Sequence, residues 1–276
     1  MRTALTIAGS DSCAGAGIQA DLKTFYAHGV YGMSVITAVT AQNTKGVIGI
    51  ENISADMVEK QLDAIFTDIK VDAVKVGMLS NRDIIKSVSR KLKKYSPDNI
   101  VLDPVMVSKS GHTLLGPDAK DILLKELLPL CTIVTPNIPE AEVITGVTIN
   151  SINDMKKSCK VIFEMGAKMI LIKGGHLSTD PVDILFDGKG FKYFIGKRIH
   201  TKNTHGTGCT LSSAIASNLA KGYSVEKSIV KAKEYITIAI QNSLSIGKGI
   251  GPTNHFYSIY KKCNMLKEIG EFKNEC

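Results

Sequence analysis

Residues 73–104 read AVKVGMLSNRDIIKSVSRKLKKYSPDNIVLDP, and this stretch decides the fold. Ala73–Val76 is a short apolar run that stops at Gly77. Asp83–Tyr95 follows as a helical segment with a strongly basic outer face. Ile100–Leu102 is a second apolar run, and it passes straight into Asp103-Pro104. Strand, helix and strand in that order predict a βαβ unit with parallel strands.

The same alternation extends in both directions. Upstream, Leu5–Ala8 and Ser34–Val39 read as strands, and Gln19–His28 as a helix. Met57–Ile69 places Val58, Leu62, Ile65 and Ile69 on one helical face. Downstream, the helix Ala119–Leu128 precedes the strand Thr132–Thr135, and the helix Met155–Met165 precedes Met169–Ile172. Asp183–Phe186 and Phe191–Ile195 form a hairpin around Asp187-Gly188. Two helices, Thr210–Lys221 and Val225–Ser243, come last. No Pro/Ser-rich linker and no fixed-period repeat interrupts the series. The pattern predicts one three-layer α/β domain with a mostly parallel sheet. Ligands of such sheets bind beyond the carboxyl ends of the strands. Gly9-Ser10-Asp11, Gly77-Met78, Asp103-Pro104, Thr135-Pro136-Asn137 and Lys173-Gly174-Gly175 all stand at those ends, which locates the site.

Composition narrows the function. The chain has 276 residues, with 34 Lys+Arg against 26 Asp+Glu, a net charge of +8. The basic residues are spread along the chain without a polybasic tract, so a nucleic-acid partner is not expected. No apolar window is long enough for a transmembrane helix, and the start has no secretory pattern. The six cysteines, Cys13, Cys131, Cys159, Cys209, Cys263 and Cys276, include no Cys-x-x-Cys pair. That spacing argues against a zinc site or disulfide framework and for a reducing cytoplasm.

Two glycine-rich segments open helices: Gly9–Gly17, before the helix that carries Asp21, and Thr204–Thr210 (Thr-His-Gly-Thr-Gly-Cys-Thr). A helix N-terminus offers free amides and partial positive charge to an anion. Gly206, Thr207, Gly208 and Cys209 therefore read as an anion hole for a transferring phosphoryl group, although neither loop is a Walker A motif. With Lys173 and Asp103 at strand ends, a phosphate-handling site is the favoured reading. Cys209 lies in the first helical turn, where a thiolate is stabilised and could take a proton from a substrate hydroxyl. Chemistry alone leaves open the alternative of a small residue chosen for its fit beside glycine.

These segments together resemble the hydroxymethylpyrimidine/phosphomethylpyrimidine kinases, thiamin-pathway members of the ribokinase-like family. The matching stretches include Ala8–Asp11, Gly15–Thr24, Val35–Ala38, Gln42–Thr44, Lys75–Leu79, Leu102–Met106, Lys109–Gly111, Thr135-Pro136-Asn137-x-Pro139-Glu140-Ala141, Lys173–His176 and Thr201–Thr210, with Gly247-Lys248-Gly249-x-Gly251-Pro252 late in the chain. They run in order from about Leu5 to Phe256. The resemblance implies a ribokinase-like three-layer α/β/α sandwich over residues 1–256. It implies ATP-dependent phosphorylation of 4-amino-5-hydroxymethyl-2-methylpyrimidine and then of its monophosphate. It also implies Mg²⁺ and a cytoplasmic homodimer.

Residue roles come with the resemblance. Asp21 and Gln42 are the pyrimidine-recognition groups, and Met78 and Val105 the apolar walls for a flat ring. Cys209 stands where many relatives carry an aspartate base. Lys173, Asn137 and Lys233 are the ATP and phosphate contacts, and Glu140 and Asp103 the metal candidates. Ser108–Thr113 is the flap that excludes water. Ala14 departs from the glycine that many relatives carry there. Ser108 stands where some pyridoxal-phosphorylating relatives carry a flap cysteine, which favours the pyrimidine. A non-catalytic binder on the same fold is disfavoured, because Cys209, the anion hole, Lys173 and the Asn137–Glu140 element are all present. The tail, residues 257–276, lies beyond the resemblance and suggests a short helix.

Overall fold

The computed structural model describes residues 1–106, 115–116, 118–175 and 181–267. The expected βαβ unit is present as β4 (Ala73–Val76), α3 (Arg82–Tyr95) and β5 (Ile100–Leu102). Its strands pair in parallel, Val74 opposite Ile100 and Val76 opposite Leu102. Asn81 caps α3 by accepting the Ile84 amide, satisfying one of the free N–H groups of the first turn. The helix ends at Ser96, which is left-handed (φ 44°) just before Pro97, a residue that disfavours further helix. Ile84, Ile85, Val88 and Leu92 face the sheet and are buried. The basic outer face has one exception: Lys91 is buried and ion-pairs with Asp63.

Nine strands form a single sheet in the order β3-β2-β1-β4-β5-β6-β7-β8-β9. β1 (Thr3–Asp11) lies between β2 (Tyr31–Asn43) and β4, and β5 continues to β6 (Ile133–Val134) and β7 (Ile170–Ile172), all in parallel. Both edges turn antiparallel. β3 (Gly46–Asn52) folds back on β2, and β8 (Val182–Phe186) with β9 (Phe191–Ile195) extends from β7. β3 was not anticipated, and β2 runs four residues beyond its expected end at Val39, to Asn43. That extension carries Gln42 to the rim.

Helices cover both faces. α1 (Gly17–Ala27), α7 (Thr207–Ala220) and α8 (Val225–Gln241) pack one side through Phe25, Leu211, Ile215, Ile229 and Ile236. α2 (Ala55–Phe66), α3, α4 (Ala119–Ile122), α5 (Ile138–Thr145) and α6 (Ile152–Glu164) pack the other, through residues such as Val58, Leu62, Ile144, Met155 and Ile162. The expected helix Ala119–Leu128 is α only at its start. It widens to a π turn over Leu123–Leu127 and tightens to 3₁₀ over Leu128–Leu130. Pro129 lies in that last turn and has no N–H to continue the α ladder. Cys131 and Cys159 lie in this core, where burial pushes both thiols up to about 12. They have packing roles. The tail begins with α9 (Tyr257–Lys262) and a 3₁₀ turn, Met265–Lys267.

Leu62 is fully buried on α2. Leu62→Ala should cost about 2–5 kcal/mol, since the lost methyls leave a cavity that the layer cannot close. Chemical denaturation measures it, and a loss under about 1 kcal/mol would reject this packing.

Candidate active site

The parallel strands end at one rim, and the residues that follow them line a single cavity. Gly9 and Asp11 come from β1, Gln42 from β2, Lys75 and Met78 from β4, Asp103 and Val105 from β5, Asn137 from the end of β6, and Lys173 from β7. Gly206–Cys209 close the cavity from the start of α7. Of the thirteen residues singled out from sequence, eleven line it.

The phosphate end is built from backbone. Gly206 precedes α7 with φ 79°, a left-handed conformation that favours glycine. A Cβ there would lie 1.7 Å from the Gly15 carbonyl oxygen, so no side chain fits. No side chain caps the helix, and its first residues line the cavity. Lys173 Nζ donates to Asp103 Oδ1 at 2.8 Å. A Cβ on Gly208 would lie 3.4 Å from Asp103 Oδ2 and 3.5 Å from Lys173 Nζ, so this ion pair rests against the helix N-terminus. Burial opposes the charge on Lys173, but Asp103 and Glu140 reverse the balance and raise its pKa.

Asn137 and Glu140 have a local structural job as well. They form the capping box of α5: Glu140 donates its amide to Asn137 Oδ1, and Asn137 donates its amide to Glu140 Oε2. Burial, with Asp103 adding to it, pushes the Glu140 carboxyl up to about 7, although Lys173 pulls the other way.

Cys209 is half-buried, with its thiol toward the cavity. Burial pushes this thiol up to about 11. Lys75 works against that shift, and Asp21 and Asp103 work with it. The expected thiolate is therefore a thiol at rest: desolvation outweighs the helix N-terminus.

At the other end, Met78 and Val105 supply apolar walls and Gln42 a polar edge. Thr40 Oγ1 donates to Gln42 Oε1 at 3.2 Å, and the Gln42 amide nitrogen lies 3.4 Å from His205 Nε2. A Cβ on Gly9 would be 3.3 Å from Met78 Sδ, so glycine lets this wall close in.

Two expected residues stand elsewhere. Asp21 is fully buried beneath the cavity, not on its wall. Its Oδ2 accepts from Thr6 (2.6 Å) and Lys75 (2.8 Å), and its Oδ1 from Ser213 (2.6 Å). α1 turns Asp21 toward the sheet, so it cannot touch a pyrimidine. Lys233 ion-pairs with Asp183 on β8, whose other oxygen accepts the Gly174 amide at 2.9 Å. It steadies the turn after β7 and does not line the cavity. The flap Ser108–Thr113 lies outside the described residues.

The sequence reading assigned no role to Lys75 or His205, which the cavity includes, and none beyond position to Asp11. Asp11 Oδ2 accepts the His205 Nε2 proton (2.8 Å) and the amides of Gly15 (3.1 Å) and Ala16 (2.8 Å). Asp11, Cys13 and His205 hold their donor atoms within 4.8 Å of one another, but these hydrogen bonds fill the cluster, which acts as a clasp between the glycine loops. Burial works against the Asp11 carboxylate, yet the bonds from His205, Cys13 and Ala16 prevail and hold its pKa at about 2.

Comparison with known proteins agrees with this geometry. The profile of a family described as phosphomethylpyrimidine kinase matches residues 11–254. A Bacillus subtilis protein named hydroxymethylpyrimidine/phosphomethylpyrimidine kinase is 48% identical over 255 residues, 92% of this chain and 94% of its own length. The thiamine biosynthesis bifunctional protein ThiED of Geobacter sulfurreducens is 51% identical over 252 residues, 91% of this chain; the match spans only 51% of that longer protein. Among solved structures, a phosphomethylpyrimidine kinase from Clostridium difficile 630 is 52% identical with a TM-score of 0.79, covering 87% of this chain and 100% of that one. The ADP complex of Bacillus subtilis pyridoxal kinase is 41% identical with a TM-score of 0.88, covering 94% and 99%.

The clasp gives a pH-dependent expectation. The folded state holds Asp11 below its ordinary 3.8, at about 2, so its stabilising effect is present above pH 4 and is lost as pH falls through 2. Asp11→Asn should cost about 2 kcal/mol at pH 7, with the gap from the parent protein closing in acid. Denaturation at several pH values checks this, and a gap that does not change with pH would refute it.

Proposed function

The chain belongs to the phosphomethylpyrimidine kinase family, and on that premise we propose its reaction and the residues that carry it. It is a kinase. It transfers the γ-phosphoryl group of ATP to the hydroxyl of 4-amino-5-hydroxymethyl-2-methylpyrimidine and then phosphorylates the monophosphate to the diphosphate, in thiamine biosynthesis. The observation that carries this reading is one cavity with two unlike ends. A flat apolar slot with Gln42 faces a helix N-terminus flanked by Lys173 and Cys209. Gln42 offers both a donor and an acceptor to the edge of an aminopyrimidine. Residues 1–256 would form the kinase domain, and 257–276 a tail.

Phosphoryl transfer asks the protein mainly for alignment and charge stabilisation. The amides of Gly206–Cys209 would meet the equatorial oxygens of the γ-phosphoryl group. Lys173 would neutralise ATP phosphate, exchanging part of its contact with Asp103. Asn137, at the α5 cap, would add a donor. Once ionised, with its own proton released to water, Cys209 would accept the proton of the substrate hydroxyl as oxygen bonds to phosphorus and the bond to the ADP oxygen breaks.

Mg²⁺ fits the donor set. Glu140 is a buried carboxyl, and burial first, with Asp103 adding to it, disfavours its charged form, a penalty that a divalent cation would offset. Asp103 is already taken by Lys173. Glu140 would hold the ion, directly or through water, as Mg²⁺ sites with few protein ligands do. Bound Mg²⁺ would supply positive charge to the β- and γ-phosphates.

Among the described residues no helix is long and apolar enough to cross a membrane, which is compatible with a cytoplasmic enzyme. The proposed homodimer would have an apolar residue to cover in Ile48, 76% exposed on edge strand β3. The likeness to a pyridoxal kinase makes pyridoxal the alternative substrate to test.

Purified protein with Mg-ATP should convert the hydroxymethylpyrimidine to mono- and then diphosphate, resolved by chromatography. Turnover of pyridoxal alone would sink the assignment. Cys209→Ala should lower kcat about 10²- to 10⁴-fold, the range for a lost general base, with KM nearly unchanged. Near-normal turnover would reject the base role.

A further inference from the structure

Lys75 has no part in the mechanism above, yet it is the one lysine whose side chain is fully buried at the centre of the described sheet. An ammonium in that place is costly unless it is paired. Asp21 Oδ2 holds it at 2.8 Å, and Thr6 and Ser213 hold Asp21 in turn. Ser213 stands four residues after Cys209 on α7, so both side chains lie on one helical face. The clamp therefore sets the ammonium beneath the face that carries the thiol. Lys75 also lines the cavity, and its Nζ would be 2.7 Å from a Cβ on Gly77.

We propose that Lys75 is a positioning residue for phosphoryl transfer: its clamped ammonium stabilises the Cys209 thiolate that takes the substrate proton. This rests on reading Cys209 as the base. The charged groups facing the sulfur are Lys75 from β4, Asp21 from α1, Asp103 beyond β5 and Lys173 beyond β7. Lys75 exerts the largest pull toward the thiolate, against a larger desolvation penalty. Lys75 itself stays charged, since Asp21, Cys209 and Asp103 raise its pKa despite burial. The step balances. The substrate O–H proton passes to Sγ while the O–P bond forms and the P–O bond to ADP breaks. The thiol proton returns to water once product leaves.

A buried pair with only a structural task tolerates replacement by apolar groups of similar volume. An electrostatic task does not, and this difference is testable. The readout is alkylation of Cys209 by iodoacetamide across pH in the intact protein, followed on its own peptide by mass spectrometry. Lys75→Met should slow alkylation at pH 8 about tenfold, equivalent to a one-unit rise in thiol pKa, and lower kcat more than it changes KM. The neutral pair Lys75→Met/Asp21→Asn should also alkylate more slowly than the parent. It keeps the test readable if the single variant fails to fold. Thr6→Val disturbs the same buried cluster but leaves the ammonium, and should alkylate within about twofold of the parent. Parent-like alkylation in the two Lys75 variants, or equal slowing by Thr6→Val, overturns the proposal. Because alkylation needs no turnover, failure here is separable from failure of the base assignment, which Cys209→Ala decides.

Discussion

The contact between Gly15 and Gly206 is the constraint on which the site depends. The two residues are far apart in sequence, one at the mouth of α1 and the other at the mouth of α7. Neither position has room for a side chain. A Cβ on Gly206 would fall 1.7 Å from the Gly15 carbonyl oxygen, and a Cβ on Gly15 would fall 2.0 Å from the His205 ring. Asp11 then ties both loops together through the His205 ring and the Gly15 and Ala16 amides. The start of α1 thus sits against the start of α7. Without this approach the chain would still have a parallel sheet, but its two helix N-termini would not share a cavity.

Charge in that cavity is arranged in tension. Asp103, Glu140 and Asp21 confront Lys173 and Lys75, and none of the five is well exposed to water. Each group gains from its partner and loses to burial. For the lysines the partners win, and both are held more strongly protonated. For Glu140 and Cys209 burial wins, and both hold their protons more readily than an ordinary carboxyl or thiol. A site balanced in this way responds to what enters it. Triphosphate would draw Lys173 from Asp103, and an accompanying cation would favour ionised Glu140.

How far the sequence disclosed this depends on how local each feature is. The βαβ unit at 73–104 was legible because its apolar runs and helical period are local, and most helix and strand positions fell within a few residues. β3 was not, because Gly46–Asn52 carries two glycines and no fully buried residue, so period-2 alternation is weak. α5 was missed because its eight residues have a proline in second place and follow a cap already read as a ligand motif. Glycine loops and strand ends located the cavity, since their chemistry depends on residue type and position in an element. Asp21 and Lys233 were misplaced for the opposite reason. Whether a charged side chain faces ligand or partner depends on residues distant in sequence: Lys75 and Ser213 for the first, Asp183 for the second.

The same distinction settles what the net charge of +8 means. Most of the excess lies on outer faces, where water screens it and a phosphate would gain little from it. Lys91 shows that even within the basic helix α3 position overrides composition, since its charge is spent on Asp63. The buried and half-buried lysines that line the cavity are Lys173 at the rim and Lys75 beneath it. Both are neutralised in the resting protein by carboxylates fixed in the fold. A cation held in this manner acts at low dielectric and needs no reorganisation when charge develops nearby, the condition under which electrostatic stabilisation is strongest. The charge fixed at the cavity is therefore that of two paired lysines rather than of the eight surplus charges, and their pairing is what allows them to be buried there.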